Sequence, residues 1–448
     1  MSPNEFLLGG IQVNESDQEV WLDALTEEGM NTVSVTHYAR QGDWDTDHLW
    51  WEEDDIPTGG REIGIRPEIR AAKKRGMRAV LILRVALDHA FERNRFLWHG
   101  QIMPRTDEQL DRWFELYTEY AVLWAEIAEE EGVDVLMIGS EMSALTSTIQ
   151  LEELPALEEY FVNEEKQEER REDLLRHEEV IEDRHLWIRD RESYDTLGDY
   201  ADARIRAEAA WAEQIGVSAE GLAGDPEADL AEINKRRAVL EEKWRQLIAR
   251  VREVYSGQLG YAANFDQYHM VTFWDALDLM GINAYFQLRP RLLAADEGEA
   301  ELSEMLRDGW RGVLKDIVSF RESQGLSGRE VIFTEIGYTW RENSTLEPWA
   351  DTGFSTVATA DGGEQLLIWQ DQPRDLSERA LAMQALYEAH EELDAPLLKG
   401  LLYWKLSTYA GHEEVEAFML KIGGPTDDPL AAELRRFTGG DSNADAGS

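Results

Sequence analysis

The sequence predicts an α/β protein, a (β/α)8 TIM barrel with a large helical insertion between strands 4 and 5. Three observations support this fold. Short apolar runs recur along the chain, a helix-like segment follows most of them, and there are eight of them. The runs are nearly continuous, which is typical of strands buried on both faces of a parallel sheet. An open doubly wound sheet is the alternative, but no glycine-rich phosphate fingerprint follows the first strand.

The eight predicted strands are short and rich in apolar or β-branched residues. In chain order they are 6–13, 32–37, 79–85, 133–138, 259–263, 277–282, 330–334 and 398–404. Helices are predicted between them at 18–28, 66–75, 107–131, 302–323 and 377–392. Gly29 and Gly76 follow the first two helices directly, as glycines often do at a helix end.

A barrel of this kind needs about 250 residues, and the chain has 448. We assign 1–149 to the first half of the barrel, 239–438 to the second half and 150–238 to the insertion, with a disordered tail at 439–448. Within the insertion, 158–191 is dense in charge and predicts one long solvated helix, and helices are also predicted at 200–214 and 228–254. The last of these should rejoin the barrel, because it carries an apolar stripe: Trp244, Leu247, Ile248 and Val251.

We interpret the insertion as a helical hairpin or small bundle that projects from the carboxyl-terminal face of the barrel. Three roles are open at this point: surface decoration, a wall of the active-site cleft, or a surface for homodimerisation.

The composition excludes several classes of function. The chain has 91 acidic and 44 basic residues, a net charge of −47, which opposes binding to nucleic acid or anionic membranes and suggests a high-salt environment. It contains no cysteine, which excludes a disulfide scaffold, a thiolate metal site and a cysteine nucleophile. No apolar run approaches the roughly 18 residues of a membrane span. The first residues do not resemble a signal peptide, so we expect a cytoplasmic protein; a secreted or periplasmic one is the alternative if a leader has been removed.

Two carboxylates lie where predicted strands end. Strand 4 leads into Ser140-Glu141, and strand 7 leads into Thr334-Glu335. Active sites of these barrels lie at the carboxyl ends of the strands, where strands 4 and 7 face each other. A glycosidic bond is cleaved between two carboxyl groups, one protonated and one ionised. Either glutamate alone is more simply explained by a salt bridge or a helix end, but the pair favours a glycosidase.

Other polar and aromatic residues follow the same strand ends. Each alone has a structural explanation, such as a partner for a buried carboxylate for Arg84 or a cap on the core for Trp404. Their concentration at one end of the barrel favours a sugar cleft. The predicted substrate-binding residues are His37, Arg84, Asp88, Trp98, His99, Asn264, Asn283, Tyr285, Tyr338 and Trp404.

Six segments of the chain resemble glycoside hydrolase family 113, the barrel β-mannanases, and the related glycosidase-like barrels of gene-transfer-agent proteins. They are LILRVALD with WHGQI, VDVLMIGSEM, LDLMGINAYF, VIFTEIGYTW and GLLYWKL. The resemblance implies Glu141 as acid/base, Glu335 as nucleophile and retention of configuration. It also implies that Tyr285 hydrogen-bonds the nucleophile, that Trp404 forms the floor of the −1 subsite, and that the substrate is a β-1,4-linked mannan or manno-oligosaccharide.

The sequence departs from that pattern in two places. Many related barrel glycosidases have asparagine before the acid/base, where this chain has Ser140. The contact to the sugar 2-hydroxyl is therefore expected from Asn264 or Asn283. The insertion also follows Glu141 closely, within the loop that should shape the leaving-group side of the cleft.

The mechanism expected from these residues is double displacement. Glu141 should start protonated, with its pKa raised by burial and by the charge of Glu335. No metal or organic cofactor is needed, and the scattered histidines lack zinc-site spacing. The expected partner is an oligosaccharide or polysaccharide.

Two other classes of function were weighed. The first is a non-catalytic carbohydrate-binding or assembly protein on a glycosidase-like barrel. The second is an enzyme acting on phosphorylated metabolites, for which Gly337 and Gly411 offer too little of an anion site.

Overall fold

The computed structural model describes residues 5–52, 61–104, 106–146, 163–184, 194–214 and 226–439. Eight parallel strands form a barrel, and each lies within three residues of its predicted start and four of its predicted end. They are β1 (Leu7–Gln12), β2 (Thr32–Gln41), β3 (Arg78–Leu87), β4 (Val135–Ser140), β5 (Gln258–Asn264), β6 (Leu279–Asn283), β7 (Glu330–Ile336) and β8 (Leu398–Ser407).

Each strand pairs in parallel with the next one in the chain, from β2 through to β8. The barrel closes because β1 pairs with both β8 and β2. The contact between β1 and β2 is short, with only Gly9 opposite Thr32 and Gly10 opposite Val33. The predicted (β/α)8 barrel is therefore confirmed.

Helices surround the barrel and also form the described part of the insertion. In chain order they are α1 (Gln18–Glu27), α2 (Ile65–Lys74), α3 (Asp107–Glu131), α4 (Ser143–Thr146), α5 (Glu164–Leu175), α6 (Glu178–Arg184), α7 (Leu197–Gln214), α8 (Pro226–Arg252), α9 (Glu299–Ser323), α10 (Ser377–Glu391) and α11 (Leu430–Arg435). Helix α3 has the predicted bounds because both ends carry capping residues: Thr106 caps its amino end together with Gln109, and Gly132 follows its last turn with a positive φ.

The hydrophobic core has two layers, as expected for a barrel inside a ring of helices. A small cluster fills the barrel interior, made of Leu7, Val80, Ile82, Val135, Met137, Leu279, Ile332 and Leu402. A much larger cluster lies between the strands and the helices. The interior residues occupy the lower part of the barrel, which leaves the carboxyl ends of the strands for polar side chains.

The insertion differs from its prediction in the continuity of its first helix. The single long helix expected over 158–191 is wrong, because α5 ends at Leu175 and α6 begins at Glu178 after a turn at Arg176 and His177. The two ends of that predicted helix lie outside the described residues, as does the predicted tail from 440 onwards. The second half of α8 rejoins the barrel as expected: Trp244 is buried, and its indole N–H donates to the Leu145 carbonyl at 2.8 Å.

The long loop between β7 and α10 contains a β-hairpin that was not predicted. Its strands, Phe354–Ala358 and Glu364–Ile368, pair antiparallel. Two shorter strands, Leu49–Trp50 and Leu420–Lys421, extend the sheet beside β2 and β8. Within the described part of the chain, no helix is both long and apolar enough to cross a membrane.

Candidate active site

Glu141 follows the last residue of β4 in a backbone conformation that side chains rarely adopt, with a φ of 53°. Two hydrogen bonds from β5 hold it there. The Glu141 amide donates to the Ala262 carbonyl at 2.8 Å, and the next amide, that of Met142, donates to the Tyr261 hydroxyl at 2.7 Å. The strand end thus fixes the direction of the Glu141 carboxylate.

Glu335 lies on β7 and is 3% exposed. Its two carboxylate oxygens have different partners: Arg84 forms an ion pair with Oε1, and the Tyr285 hydroxyl donates to Oε2 at 2.8 Å. Burial, followed by the charge of Glu141, raises the pKa of Tyr285 well above its ordinary value, so that this hydroxyl keeps its proton. Arg84 stabilises the negative charge of Glu335, which suits a nucleophile.

Glu141 has a different environment from the one expected. Burial raises its pKa, but the hydrogen bond with His99 at 3.1 Å, the charges of Arg84 and His99, and a hydrogen bond from Asn283 outweigh burial and hold the pKa at about 2. The expected rise in the pKa of Glu141 is therefore wrong. Sequence reasoning considered burial and the charge of Glu335 but did not include Arg84 and the hydrogen bond with His99.

Asn283 connects the two carboxylate strands from β6. Its amide N–H donates to the Ser140 hydroxyl at 3.4 Å, and its carbonyl oxygen accepts from the Thr334 hydroxyl at 2.7 Å. Asn283 is fully buried, and its amide also hydrogen-bonds Glu141. Asn283 therefore braces the two strand ends, and Asn264, which lines the cleft, is left as the candidate for the 2-hydroxyl contact.

Both glutamates line one cleft of about 690 Å³ at the carboxyl ends of the strands. Its lining residues are Arg84, Trp98, Glu141, Asn264, Phe265, Asp266, Tyr285, Glu335, Trp349, Trp404 and Phe418. A hollow of about 750 Å³ beside the hairpin and a groove of about 910 Å³ between α3 and α8 are larger, but neither lies over the strand ends. A cleft of 690 Å³ is within the size range of ligand sites.

Trp404 lies in the cleft at an irregularity of β8. Ile11 of β1 pairs with Trp404, but the next residue, Gln12, pairs with Leu406, so Lys405 is an extra residue in the strand, with a φ of 154°. The Lys405 ammonium lies 4.2 Å from the centre of the Trp404 ring, and the Arg84 guanidinium lies 5.4 Å from it. The bulge orients the indole ring and places Lys405 against it, whereas Arg84 reaches the ring from β3.

The structure does not bring three of the predicted site residues to the cleft. His37 is buried on the helix side of β2, where its ring packs at an angle of 31° against Trp124 with centroids 3.9 Å apart. Asp88 accepts a hydrogen bond from the Ala90 amide in the turn after β3. Tyr338 is fully buried and does not line the cleft. The other predicted residues lie in the cleft or in contact with its two glutamates.

The pairing of the strands explains why His37 does not reach the cleft. In the parallel pairing of β2 with β3, Tyr38 lies opposite Arg84, and His37 lies opposite the core residue Leu83. Side chains alternate along a strand, so Tyr38 shares the barrel-interior face with Arg84, and His37 points to the helices. The cleft residues that are not among the predicted substrate-binding residues are Phe265, Asp266, Trp349 and Phe418.

Phe265 and Asp266 directly follow Asn264 at the end of β5, so their position in the chain was a signal. Trp349 lies deep in the loop after β7, where no pattern marks it. Among the described residues, no group of three or more His, Cys, Asp or Glu side chains is arranged to hold a metal ion.

Comparison with known proteins connects this geometry to a family. The model of Glycoside Hydrolase Family 113 matches residues 9–150 and 217–379, which is more than half of the chain. One similar solved structure is the GH113 β-mannanase AaManA from Alicyclobacillus acidocaldarius in complex with ManMIm, with 16% identity, coverage of 97% of this chain and 96% of that one, and a TM-score of 0.56. Another, a GH113 β-1,4-mannanase, has 17% identity, coverage of 98% and 99%, and a TM-score of 0.56. No curated protein sequence matches the chain.

The closed parallel barrel, with a carboxylate at the ends of β4 and β7 in one cleft, defines the class of a barrel glycosidase. The chain belongs to glycoside hydrolase family 113. The segment 151–216, which the family model leaves unmatched, falls within the predicted insertion.

Proposed function

We propose that the protein is a retaining glycoside hydrolase that cleaves β-1,4-linked mannan or manno-oligosaccharides. The observation that carries this proposal is the pair of glutamates in one cleft, each with different partners: Arg84 and Tyr285 for Glu335, and His99 for Glu141. Two carboxyl groups in different environments are what a glycosidase needs to divide the roles of nucleophile and acid.

In the first step, a Glu335 oxygen attacks the anomeric carbon, and the bond from that carbon to the leaving oxygen breaks. Glu141 gives a proton to the leaving oxygen, so the aglycone leaves as a neutral alcohol. The product on the enzyme is a glycosyl ester of Glu335. The Tyr285 hydroxyl orients the attacking carboxylate throughout this step.

In the second step, Glu141 accepts a proton from water while the water oxygen attacks the anomeric carbon and the ester bond to Glu335 breaks. Two displacements at one carbon give net retention. Arg84 then again neutralises the released Glu335 carboxylate.

The proton for the first step comes from the Glu141–His99 pair. Because the pKa of Glu141 is about 2 and its carboxylate is hydrogen-bonded to His99 Nε2, we propose that the His99 imidazole passes a proton to it. The proton moves to Glu141 along their 3.1 Å hydrogen bond as the leaving oxygen develops negative charge. His99 is thus proposed to assist the acid rather than to bind the sugar.

The choice of mannose rests on the family and on its members with solved structures. AaManA is described as a β-mannanase, and the second match as a β-1,4-mannanase. In the cleft of this chain, Trp404 offers a ring for the sugar bound at Glu335, and Asn264 offers an amide for its 2-hydroxyl. Family membership alone does not fix the sugar.

The experiment is hydrolysis of manno-, gluco- and xylo-oligosaccharides by the wild type, Glu141→Ala and Glu335→Ala, at low and high salt. We expect cleavage of the manno series by the wild type and a loss of at least about a hundredfold in each variant. The matched control is Glu330→Ala, at the opposite end of β7, which should keep full activity.

Two outcomes would contradict the proposal. Cleavage of only the gluco or xylo series would retain a glycosidase but reject mannan. A wild type that is inert on every series at both salt concentrations, yet binds them, would favour a carbohydrate-binding protein.

A further inference from the structure

The inserted helices α5, α6 and α7 contact two loops on opposite sides of the barrel. We call residues 164–184 and 194–214 the bridge. One loop, 88–104, follows β3 and carries Trp98 and His99; the other, 337–376, follows β7 and carries Trp349 and the hairpin. Four steps around the barrel separate β3 from β7 in either direction, so the two loops face each other across the barrel axis.

Aromatic contacts fix one end of the bridge to the loop after β3. The Phe96 ring packs edge-on against Tyr200 with centroids 5.3 Å apart, and the Arg95 guanidinium donates to the Tyr194 hydroxyl at 3.1 Å. The Trp211 indole N–H, on a ring that is almost fully buried, donates to the Gln101 carbonyl at 3.0 Å. These contacts lie within five residues of Trp98 or His99.

The other end of the bridge packs on the hairpin after β7. Phe354 joins an apolar cluster in which Ile181 and Leu197 are fully buried. Arg176, in the turn between α5 and α6, donates to Glu364 on the second strand of the hairpin at 2.8 Å. The bridge is therefore attached to the barrel on both sides rather than projecting from it as an arm.

The direction of the cleft shows how this attachment would affect the binding of a sugar chain. The scissile bond must lie between Glu141 on β4 and Glu335 on β7. A bound sugar chain therefore passes through the space that separates these two sides of the barrel. The loop after β3 is on the Glu141 side, because His99 hydrogen-bonds Glu141, and the hairpin loop follows Glu335 directly. A segment that joins these two loops spans from one side of the path of the sugar chain to the other, either over the cleft or across one of its ends.

We infer that the bridge makes this site selective for chain ends, so that the protein acts on short oligosaccharides and on the ends of mannan chains but not on the interior of a polymer. A polymer cannot be laid lengthwise through a cleft whose two sides are joined over it or across one of its ends; one chain end must enter first. This inference rests on the proposed mannan-cleaving function and specifies its substrate.

The test compares the full-length wild type with Arg176→Glu/Phe354→Ser, which replaces the ion pair to the hairpin by repulsion and removes the apolar contact. The substrates are short manno-oligosaccharides and a soluble linear β-mannan. The readouts are kcat/KM on each, the sizes of the products, and the viscosity of the polymer against its reducing ends. The matched control is Arg311→Glu, because Arg311 is as exposed as Arg176 and pairs with Glu392, far from the bridge.

We expect the wild type to cleave the oligosaccharides, to release short products from the polymer and to leave its viscosity nearly unchanged. In the double variant, kcat/KM on the polymer should rise about tenfold relative to the oligosaccharides, a difference of about 1.4 kcal/mol in transition-state binding. The control should resemble the wild type.

The outcomes separate the inference from the proposed function. Rapid loss of polymer viscosity with the wild type overturns the inference and leaves the proposed function intact, and this readout does not depend on the variant folding. A folded double variant with an unchanged preference also overturns it. No cleavage of any manno-oligosaccharide by the wild type overturns the proposed function itself.

Discussion

The side chain of Glu141 is held by its neighbours in an ionised state, which is unusual for a group that must donate a proton. A carboxyl acid in a glycosidase commonly has a raised pKa. Here, Arg84 and His99 together outweigh burial. The acid function is therefore proposed to belong to the Glu141–His99 pair and not to Glu141 alone.

This view predicts the effect of His99→Asn. The variant loses a hydrogen bond and a positive charge that favour ionised Glu141, so the pKa of Glu141 should rise from about 2. Because the folded pKa in the wild type is below the ordinary value, ionised Glu141 stabilises the folded protein above about pH 4.5, and this contribution is lost as the pH falls towards 2. Between about pH 4.5 and pH 2, the free energy of unfolding of the variant should therefore fall by less than that of the wild type.

A carbon-13 NMR titration of the Glu141 carboxyl measures the shift directly. His89→Asn is the control, since His89 contacts the Asn94 carbonyl and does not line the cleft. A pKa of Glu141 that is unchanged or lower in His99→Asn would contradict the proposal that the Glu141–His99 pair acts as the acid.

Trp349 supports a second prediction at the scale of the residue. It is 47% exposed, lines the cleft and stacks on Phe265 with ring centroids 5.3 Å apart and an angle of 10°. Such a ring suits stacking on a sugar. Trp349→Ala should lower kcat/KM about tenfold on oligosaccharides, equal to about 1.4 kcal/mol. Trp50→Ala removes a Trp that is 40% exposed and stacks on His48 outside the cleft, so it should have no effect. An equal loss of kcat/KM in both variants would contradict a specific role of Trp349 in stacking on the sugar.

Most of the candidate site could be predicted because strand ends are visible in the sequence. Glu141, Glu335, Tyr285 and Trp404 each lie at the end of an apolar run or just past it. His37 was placed wrongly because an apolar run does not reveal which of two successive residues faces the barrel interior. Trp349 could not be found, because its loop reaches the cleft through tertiary contacts alone.

At the scale of the element, the closure of the barrel depends on glycine. A Cβ atom on Gly9 would lie 1.9 Å from the Thr32 carbonyl oxygen, at one of the two residue pairs that join β1 to β2. Gly9→Ala should therefore force the strands apart and lower the free energy of unfolding by about 1–3 kcal/mol.

The matched control for Gly9→Ala is Gly312→Ala. Gly312 lies within α9, and a Cβ there meets no atom within 4 Å. That variant should gain about 0.5–1 kcal/mol, since alanine favours the helix. Urea unfolding of both variants tests the pair, and a Gly9→Ala protein as stable as the wild type would contradict the account of closure.

The unpredicted hairpin after β7 shows a different limit of prediction from the sequence. Its turn, Asp361-Gly362-Gly363, is flanked by two runs of strand-forming residues, and Gly362 has a φ of 83°. That is a readable hairpin signal. The barrel does not require this hairpin, because the eight predicted strands already complete it. The break between α5 and α6 had no comparable signal, since Arg176 and His177 are compatible with a continuous helix.

At the scale of the whole molecule, the net charge of −47 should make the stability of the protein depend on salt. Repulsion among surface carboxylates opposes the compact state, and salt shortens its range from about 10 Å at 0.1 M to about 3 Å at 1 M. The Tm should rise between these salt concentrations by a similar amount in sodium and potassium chloride. A flat or falling Tm would show that the charge is already balanced by ion pairs such as Arg66 with Glu131.

The way in which the insertion is attached to the barrel was the feature hardest to predict from the sequence. Its helical character was predictable from composition, but its attachment was not, because Phe96, Trp211 and Phe354 meet their partners only after the barrel has brought the loops after β3 and β7 face to face.

The central claim is that Glu335 forms a covalent glycosyl-enzyme and Glu141 serves both steps. The most direct measurement is proton NMR of wild-type hydrolysis, recorded before the released sugar equilibrates between its anomers. The account predicts that the β-anomer of the new reducing end appears first, because two displacements retain configuration. Initial appearance of the α-anomer would mean a single displacement by water and would contradict the role given to Glu335.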